Sequence, residues 1–200
     1  MTTILLVEDQ GLMRSSLEIL LTLEEDFDIT AVGTGPEALP ELRSRAYDIA
    51  LLDIHVPPPT GLDLVEVVSA EQLPTRCIII TTFSRPGYVR RAMDHGAAGF
   101  LIKDQPIGEL ADAIRRVAAG EVVIPPDLAV AALRLPPNPL SSREIDVLRA
   151  SADDHTIDEI ALHLHLAHST ARNYLSSAIQ KLQVTNRASA RQIAEHNGWL

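Results

Sequence analysis

The sequence predicts an α/β fold, in which a doubly wound, five-stranded parallel (βα)5 domain precedes a small all-α domain of four helices. Three observations lead to this expectation. Short apolar runs alternate with stretches of helical spacing through the first 120 residues, a proline cluster then interrupts the chain, and only helical patterns follow. We therefore divide the chain into a domain at 1–120, a linker with a short helix and the proline cluster at 121–139, and a second domain at 140–200.

The first domain is defined by five short runs of apolar and β-branched residues, which are typical of buried strands. In order, these runs are Thr3–Val7, Ile29–Val32, Ile49–Leu52, Arg76–Thr81 and Gly99–Ile102. Apolar residues at helical spacing follow each of them, in the segments Leu12–Leu23, Pro36–Arg45, Leu62–Glu71, Pro86–His95 and Ile107–Ala118. Pro40 lies inside the second segment, where we expect a short or kinked helix because proline donates no backbone hydrogen bond.

The second domain begins after the segment Pro136–Pro139, which cannot sustain a helix and predicts a stiff linker. A short apolar stretch, Asp127–Leu135, precedes this segment. Beyond it, the spacing predicts four helices, at about 141–152, 156–164, 168–182 and 186–196. Ser141 and Thr156 each stand three residues before a glutamate, which is the pattern of a capping box at a helix start.

Composition indicates a cytoplasmic protein without membrane insertion. Apolar runs such as Cys77–Ile80 are far shorter than the ~18 residues of a membrane-spanning helix, and the N-terminus lacks the pattern of a signal peptide. One cysteine forms no internal disulfide, so a reducing compartment is expected. The formal net charge is -10, yet residues 138–200 hold seven Asp/Glu, six Lys/Arg and five histidines. This near-neutral balance is unusual for a domain that binds nucleic acid.

Polar side chains stand where the predicted strands of the first domain end. Glu8 and Asp9 follow the first strand, Asp53 the third and Lys103 the fifth, and Thr81 ends the fourth. We expect these groups to converge, because the carboxyl ends of parallel strands share one edge of the sheet. Converging carboxylates need a cation, and oxygen ligands suit Mg2+. Asp53 would then accept a phosphoryl group beside the metal, while Thr81 contacts a phosphoryl oxygen and Lys103 neutralises charge.

Residues 1–120 resemble the receiver domain of bacterial two-component response regulators. The segment Asp53–Gly61 is similar to that family's Asp-x-x-Met-Pro-x-x-x-Gly, with Val56 in place of methionine. Thr81 lies twenty-two positions before Lys103, which is the family's spacing. Lys103-Asp104 resembles the NarL/FixJ branch, and residues 81–88 are most similar to the DesR type within it. Two extra prolines, Pro58 and Pro59, depart from the family pattern.

This resemblance implies that a sensor histidine kinase phosphorylates Asp53. The implied Mg2+ ligands are Glu8, Asp9, Asp53 and the backbone carbonyl of His55. The implied phosphoryl-binding and switch residues are Thr81, Phe100 and Lys103. His55 and Phe83 would flank the path of the hydrolytic water, and we expect Phe83 to slow dephosphorylation. A solvated loop histidine is an equally good interpretation of His55.

Residues 138–200 resemble the LuxR-type helix-turn-helix domain over their whole length. The matching segments are Leu140–Glu144, Val147-Leu148, Ile160–Leu164, Ser169–Tyr174, Lys181-Leu182 and Asn186-Arg187. The resemblance implies a recognition helix that starts near Ser169 and enters the major groove of double-stranded DNA. Asp154 and Ser169 stand where the family usually has glycine.

Several residues of this domain suit contacts to DNA. Arg172 can pair with guanine and Asn173 with adenine, and Ser176 lies on the same helix face as Arg172. The candidates for phosphate contacts, which give affinity without sequence information, are Thr170, Lys181 and Arg187. A plain helical bundle with a solvated polar face would show the same spacing, but the match over the whole domain argues against it.

The weak charge of the second domain predicts that one copy binds DNA poorly, because affinity grows with the number of neutralised phosphates. Two linked copies gain avidity. We therefore expect phosphorylation to promote a homodimer that binds an operator and regulates transcription, with RNA polymerase as a further candidate partner. The family's usual dimer surface includes the fourth and fifth helices, some members use the first and fifth, and the sequence does not choose.

Two other functions fit parts of the sequence. The first domain could be an atypical receiver, regulated by a ligand or independently of phosphorylation, although Asp9, Asp53, Thr81 and Lys103 are all present. An enzyme of the haloacid-dehalogenase type also phosphorylates an aspartate after a strand. That family needs a second aspartate two residues on, where this chain has His55. We therefore expect a regulator rather than an enzyme.

Overall fold

A computed structural model describes residues 1–82, 85–152 and 155–200. The chain divides into two compact units: the second contains Ala131–Leu200 together with Arg85–Tyr88, and the first contains Val89–Val130 and the residues before Arg85. The boundary between Val130 and Ala131 lies inside the predicted linker at 121–139, whose own boundaries stay a prediction. Among the described residues, no helix combines the length and the apolar character that crossing a membrane requires.

The first unit contains the predicted parallel sheet, with strand order β2-β1-β3-β4-β5. The strands are β1 (Thr2–Val7), β2 (Phe27–Val32), β3 (Ile49–Asp53), β4 (Arg76–Thr81) and β5 (Gly99–Ile102). Residues Ile4–Val7 of β1 are fully buried, because helices cover both faces of a parallel sheet. An additional bridge joins Gly99 to Val123, beyond the last predicted helix of this domain.

Five helices alternate with these strands. They are α1 (Gly11–Thr22), α2 (Gly35–Ser44), α3 (Gly61–Ala70), α4 (Pro86–Asp94) and α5 (Ile107–Ala118). Helix α2 continues through Pro40 for ten residues, and backbone hydrogen bonds persist on both sides of the proline, from Ala38 to Thr34 and from Arg45 to Glu41. Proline therefore removes one donor here without ending the helix.

The remaining helices are α6 (Pro126–Leu133), α7 (Ser142–Ala150), α8 (Ile157–His163), α9 (His168–Lys181) and α10 (Arg187–His196). Both predicted capping boxes are present: Ser141 caps α7 with Glu144, and Thr156 caps α8 with Glu159. The second unit has its own hydrophobic core, which includes Val147, Leu148, Ile160, Ala171, Leu175, Ala178, Ala190 and Ala194. This core orients α9 so that its opposite face is exposed to solvent.

Candidate phosphoacceptor centre and nucleic-acid interface

Three carboxylates meet at the carboxyl edge of the sheet. Each of Glu8, Asp9 and Asp53 offers an oxygen atom, and these oxygens lie within 4.8 Å of one another. Because β1 and β3 are neighbours, with Val7 paired to Leu52, the residues that follow this pair arrive side by side. Glu8 and Asp53 are buried, whereas Asp9 is exposed. The predicted convergence of these acids is present in the structure.

The Lys103 side chain, which is 5% exposed, reaches this acidic cluster from β5. Its Nζ lies 2.6 Å from Glu8 Oε2 and 3.1 Å from Asp53 Oδ2. The Lys103 backbone N–H donates to the carbonyl of Thr81 at 2.9 Å, which ties the ends of β4 and β5 together. A buried ammonium between two buried carboxylates offsets part of their mutual repulsion.

Thr81 and Phe100 lie on the same face of the sheet. In the register of β4 with β5, Thr81 pairs with Ile102 and Ile79 pairs with Phe100. Residues two apart on a strand point to the same face, so the side chains of Thr81 and Phe100 share it. Both are fully buried. We therefore expect a displacement of Thr81 at the edge of the sheet to change the packing around Phe100.

The loop after β3 is tightly packed against two helix starts. A Cβ added at Gly61 would lie 2.1 Å from the Asp53 carbonyl oxygen, and one added at Gly35 would lie 1.9 Å from the Pro59 carbonyl oxygen. His55 is exposed in this loop, and the ligand role of its carbonyl stays a prediction. Phe83, like Asp154, lies outside the described residues.

The cluster has the donor set that a divalent cation requires. Its three carboxylates carry three negative charges when ionised, and Lys103 supplies one positive charge, so two negative charges remain for Mg2+ to neutralise. All three are hard oxygen donors, which Mg2+ prefers. Among the described residues, this is the group of three acidic, histidine or cysteine side chains that could hold a metal ion. Receiver-type Mg2+ binding fits the residues present.

Sequence reasoning missed Arg14, which contacts the same region. Its Nη1 donates to the backbone carbonyl of Glu8 at 2.8 Å. Arg14 stands on α1, near the helix start that follows the acidic pair, and this position is the only sequence pattern that could have indicated its role.

Helix α9 presents the predicted base-contacting residues on one face. Ala171, Leu175 and Ala178 are buried in the second core at helical spacing, whereas Arg172 and Asn173 are exposed. Ser176 is also exposed and Thr170 is partly buried. These exposures fit a helix that packs on one side and offers its other side to a groove.

Lys181 and Arg187, predicted to bind phosphates, both have partners within the chain. Lys181 Nζ lies 2.8 Å from Glu144 Oε2, and Glu144 is 4% exposed. Burial raises the pKa of Glu144, but hydrogen bonds from Lys181, Ser177 and Ser141 outweigh it and bring the pKa to about 2. Arg187 donates to the backbone carbonyl of His155.

Other cations of the second unit are paired as well. Arg143 lies 3.6 Å from Asp146, and Arg191 lies 2.8 Å from Glu195. Within residues 138–152 and 155–200, no ion pair or side-chain hydrogen bond is present for Arg149 and Arg172. The positive charge available to DNA is therefore small, as the composition indicates.

Comparison with known families covers both units. Residues 4–115 match the response regulator receiver domain, and residues 138–194 match the bacterial regulatory proteins of the luxR family. The chain belongs to the response regulator family. This response regulator therefore has a receiver domain and a LuxR-type DNA-binding domain, as the resemblance of each half predicted.

Two relatives match the response regulator from end to end. The transcriptional regulatory protein YvfU of Bacillus subtilis is 41% identical over 203 residues, which cover 100% of each chain. The transcriptional regulatory protein DesR of the same organism is 40% identical over 202 residues, 100% of this chain and 99% of DesR. These matches confirm the expected likeness to the DesR type.

A solved structure of the response regulator RcsB from Salmonella typhimurium supports the same fold. It has a TM-score of 0.64 at 18% identity and covers 98% of this response regulator and 100% of that chain. At this identity the likeness concerns the fold alone.

Proposed function

We propose that Asp53 of this response regulator accepts a phosphoryl group from a sensor histidine kinase, with Mg2+ bound by Glu8, Asp9 and Asp53. The observation that carries the proposal is the position of Lys103, whose ammonium lies 3.1 Å from Asp53 Oδ2 and 2.6 Å from Glu8 Oε2 at the edge where three carboxylates converge. The protein would act in the cytoplasm and regulate transcription rather than catalyse a metabolic reaction.

The residues of the centre suit the transfer of a phosphoryl group. A carboxylate oxygen of Asp53 attacks phosphorus as the N–P bond of phosphohistidine breaks, and the departing imidazole nitrogen takes a proton. Mg2+ held by Glu8, Asp9, Asp53 and the His55 carbonyl would supply neutralising charge for the phosphoryl oxygens. Lys103 and the Thr81 hydroxyl would donate hydrogen bonds to these oxygens. Thr81 then moves toward the phosphoryl group, and Phe100 repacks beside it.

We infer that phosphorylation promotes a homodimer through α1. Four large apolar side chains on this helix and at its C-cap are exposed: Leu12, Ile19, Leu20 and Leu23, at 85%, 63%, 40% and 73%. Their spacing places them on one helix face. Ile19, Leu20 and Leu23 are close together at the end of α1, and exposed apolar side chains grouped in this way mark an interaction surface. The sequence does not choose between the two candidate dimer surfaces. This observation favours the surface that includes the first helix over the surface of the fourth and fifth helices.

The dimer would place two recognition helices on an operator of double-stranded DNA. Arg172, Asn173 and Ser176 would contact base edges. The residues proposed for the phosphates are Thr170, Lys181 and Arg187. Lys181 forms an ion pair with Glu144, so each copy would neutralise few phosphates. The avidity of two joined copies would then raise the affinity for DNA. RNA polymerase is a further proposed partner.

The phosphoacceptor role is tested by incubating the full chain with phosphoramidate and measuring the mass of the intact protein. We expect one added phosphoryl group in Mg2+, none with a chelator, and none in Asp53→Asn. Asp94→Asn is the matched control, because Asp94 is an exposed carboxylate of the same unit. Labelling of Asp53→Asn at the wild-type rate would contradict the proposal.

A further inference from the structure

Arg14 forms a hydrogen bond to the segment between β1 and α1, which contains Glu8 and Asp9. Its guanidinium Nη1 donates to the Glu8 carbonyl at 2.8 Å, and its backbone N–H donates to the carbonyl of Gln10 at 2.8 Å. From the other side, the Gln10 backbone N–H donates to Glu8 Oε1 at 3.1 Å. Glu8 is thus held at both its carbonyl and its carboxylate.

Gly33, which follows β2, has no side chain and so leaves room for the Arg14 guanidinium. A Cβ added at Gly33 would lie 2.9 Å from Arg14 Nη1 and 3.5 Å from Glu37 Oε2. The Gly33 N–H donates to the same carboxylate oxygen of Glu37 at 2.8 Å, so the glycine backbone is itself held in place. Arg14 and Asp9 also line one groove, with a volume of about 710 Å³.

The carboxylate of Asp9 depends on the backbone for its position. Asp9 is exposed, and no hydrogen bond or ion pair to its side chain is present among residues 1–82, 85–152 and 155–200. The carbonyl that Arg14 holds belongs to the peptide unit whose nitrogen is that of Asp9. Because a peptide unit is planar, a hydrogen bond that fixes its oxygen also fixes the plane from which Asp9 departs.

We propose that Arg14 is a positioning residue for the Mg2+ site, which acts by orienting the Glu8–Asp9 peptide. This inference rests on the proposed function, because it assigns Arg14 to the metal site of that centre. A metal site binds more weakly when a ligand must be ordered as the metal binds. Removing the Arg14 hydrogen bond should therefore weaken Mg2+ binding, while the attack of Asp53 on a phosphodonor at saturating Mg2+ should change little.

The test compares Arg14→Met, which removes the donor, with Arg14→Lys, which keeps one. Mg2+ is titrated into the full, unphosphorylated chain and the dissociation constant is measured from amide shifts in 1H–15N NMR spectra. We expect an increase of about tenfold for Arg14→Met, the effect of one lost hydrogen bond of ordinary strength. Arg14→Lys should lie between this variant and the wild type.

The control variant is Arg45→Met, which removes an arginine that pairs with Asp28 at 3.0 Å in the same unit. It should bind Mg2+ as the wild type does. Gly33→Ala provides a second route to the same effect, because the added Cβ displaces the guanidinium without removing it. This variant should also bind Mg2+ more weakly, and it carries the test if Arg14→Met does not fold.

A kinetic readout separates positioning from a structural role. With phosphoramidate as donor, the half-saturating Mg2+ concentration should rise in Arg14→Met, and the rate at saturating Mg2+ should stay within about twofold of wild type. An unchanged Mg2+ dissociation constant in Arg14→Met and Gly33→Ala would overturn the inference, and so would an equal loss in Arg45→Met. A wild type that binds Mg2+ without labelling at Asp53 would instead contradict the proposed function, and the dissociation constants would still decide the role of Arg14.

Discussion

At the scale of single residues, the Lys103 ammonium contacts the carboxylates of Glu8, which follows β1, and Asp53, which ends β3, and both are buried. The buried charges of Glu8 and Asp53 therefore depend on one cation in the metal-free protein. The same cation is well placed to contact a phosphoryl oxygen on Asp53. Lys103 thus contributes to the stability of the metal-free protein and, in the proposed function, to phosphoryl binding.

Replacing Lys103 by methionine should destabilise the metal-free protein. Loss of one partner from a buried ion pair costs about 3 kcal/mol, and Mg2+ should restore part of this loss by neutralising the same carboxylates. Urea unfolding in chelator and in Mg2+ measures both effects. Arg116→Met removes an exposed ion pair to Glu121 and should leave stability unchanged. Equal stability of Lys103→Met and wild type in chelator would contradict this reasoning.

Glu144 predicts a pH dependence for the stability of the second unit. Its pKa of about 2 in the folded protein lies below the ordinary value of 4.5. Unfolding therefore takes up a proton as the pH falls, and the stabilisation, fully present above pH 4.5, is lost between pH 4.5 and 2. Glu144→Gln should be less stable than wild type at neutral pH, by about 2–3 kcal/mol.

The gap between wild type and Glu144→Gln should close as the pH falls, which acid titration followed by circular dichroism can measure. Glu195→Gln is the control, because Glu195 pairs with Arg191 near the surface. A gap that stays constant between neutral pH and pH 2 would show that the Glu144 carboxylate is not held by its hydrogen bonds.

At the scale of helices and strands, close backbone approaches distinguish glycines that look alike in the sequence. Gly35, at the start of α2, leaves no room for a Cβ against the Pro59 carbonyl, whereas Gly108 in α5 has nothing within 4 Å. Gly35→Ala should destabilise the chain by about 2 kcal/mol. Gly108→Ala should stabilise it slightly, because alanine has a higher helix propensity than glycine and loses less backbone entropy on folding. Thermal unfolding of both variants tests the contrast, and equal effects would contradict it.

The exposed apolar face of α1 makes a separate prediction about assembly. Leu12→Lys combined with Leu23→Lys should weaken the phosphorylated dimer at least about tenfold, since both side chains are largely exposed in one chain and would be buried in the dimer. Sedimentation velocity with beryllofluoride and Mg2+ measures the association. Leu133→Lys, in α6, is the control, because Leu133 is as exposed as Leu12. Full association of the α1 variant would show that the dimer surface lies elsewhere.

The elements themselves were largely predictable, because buried parallel strands and amphipathic helices have different periods. The start of β2 was not predictable, because the charged residue Asp28 interrupts the apolar run. The strand begins at Phe27 rather than at the predicted Ile29. Phe27 is buried, whereas the Asp28 side chain is partly exposed and pairs with Arg45. The acidic cluster was predictable from strand ends, whereas the contacts of Arg14, Lys181 and Arg187 depend on tertiary distances that no local pattern records.

At the scale of the whole molecule, the charge of the chain is divided unevenly. Acidic residues dominate the first unit, and residues 138–200 of the second hold seven Asp/Glu against six Lys/Arg. Several of these cations are already paired within the unit, as Lys181 is with Glu144 and Arg191 with Glu195. A protein of this kind gains DNA affinity more from joining two copies than from uncovering one.

The most direct test measures mass and DNA affinity on the same samples. Light scattering gives the mass of the full chain with and without beryllofluoride and Mg2+, and fluorescence anisotropy gives its affinity for operator DNA. We expect wild type to change from monomer to dimer and to bind DNA at least about a hundredfold more tightly, and Asp53→Asn to do neither. A wild-type chain that stays monomeric, with unchanged DNA affinity, would contradict the central claim.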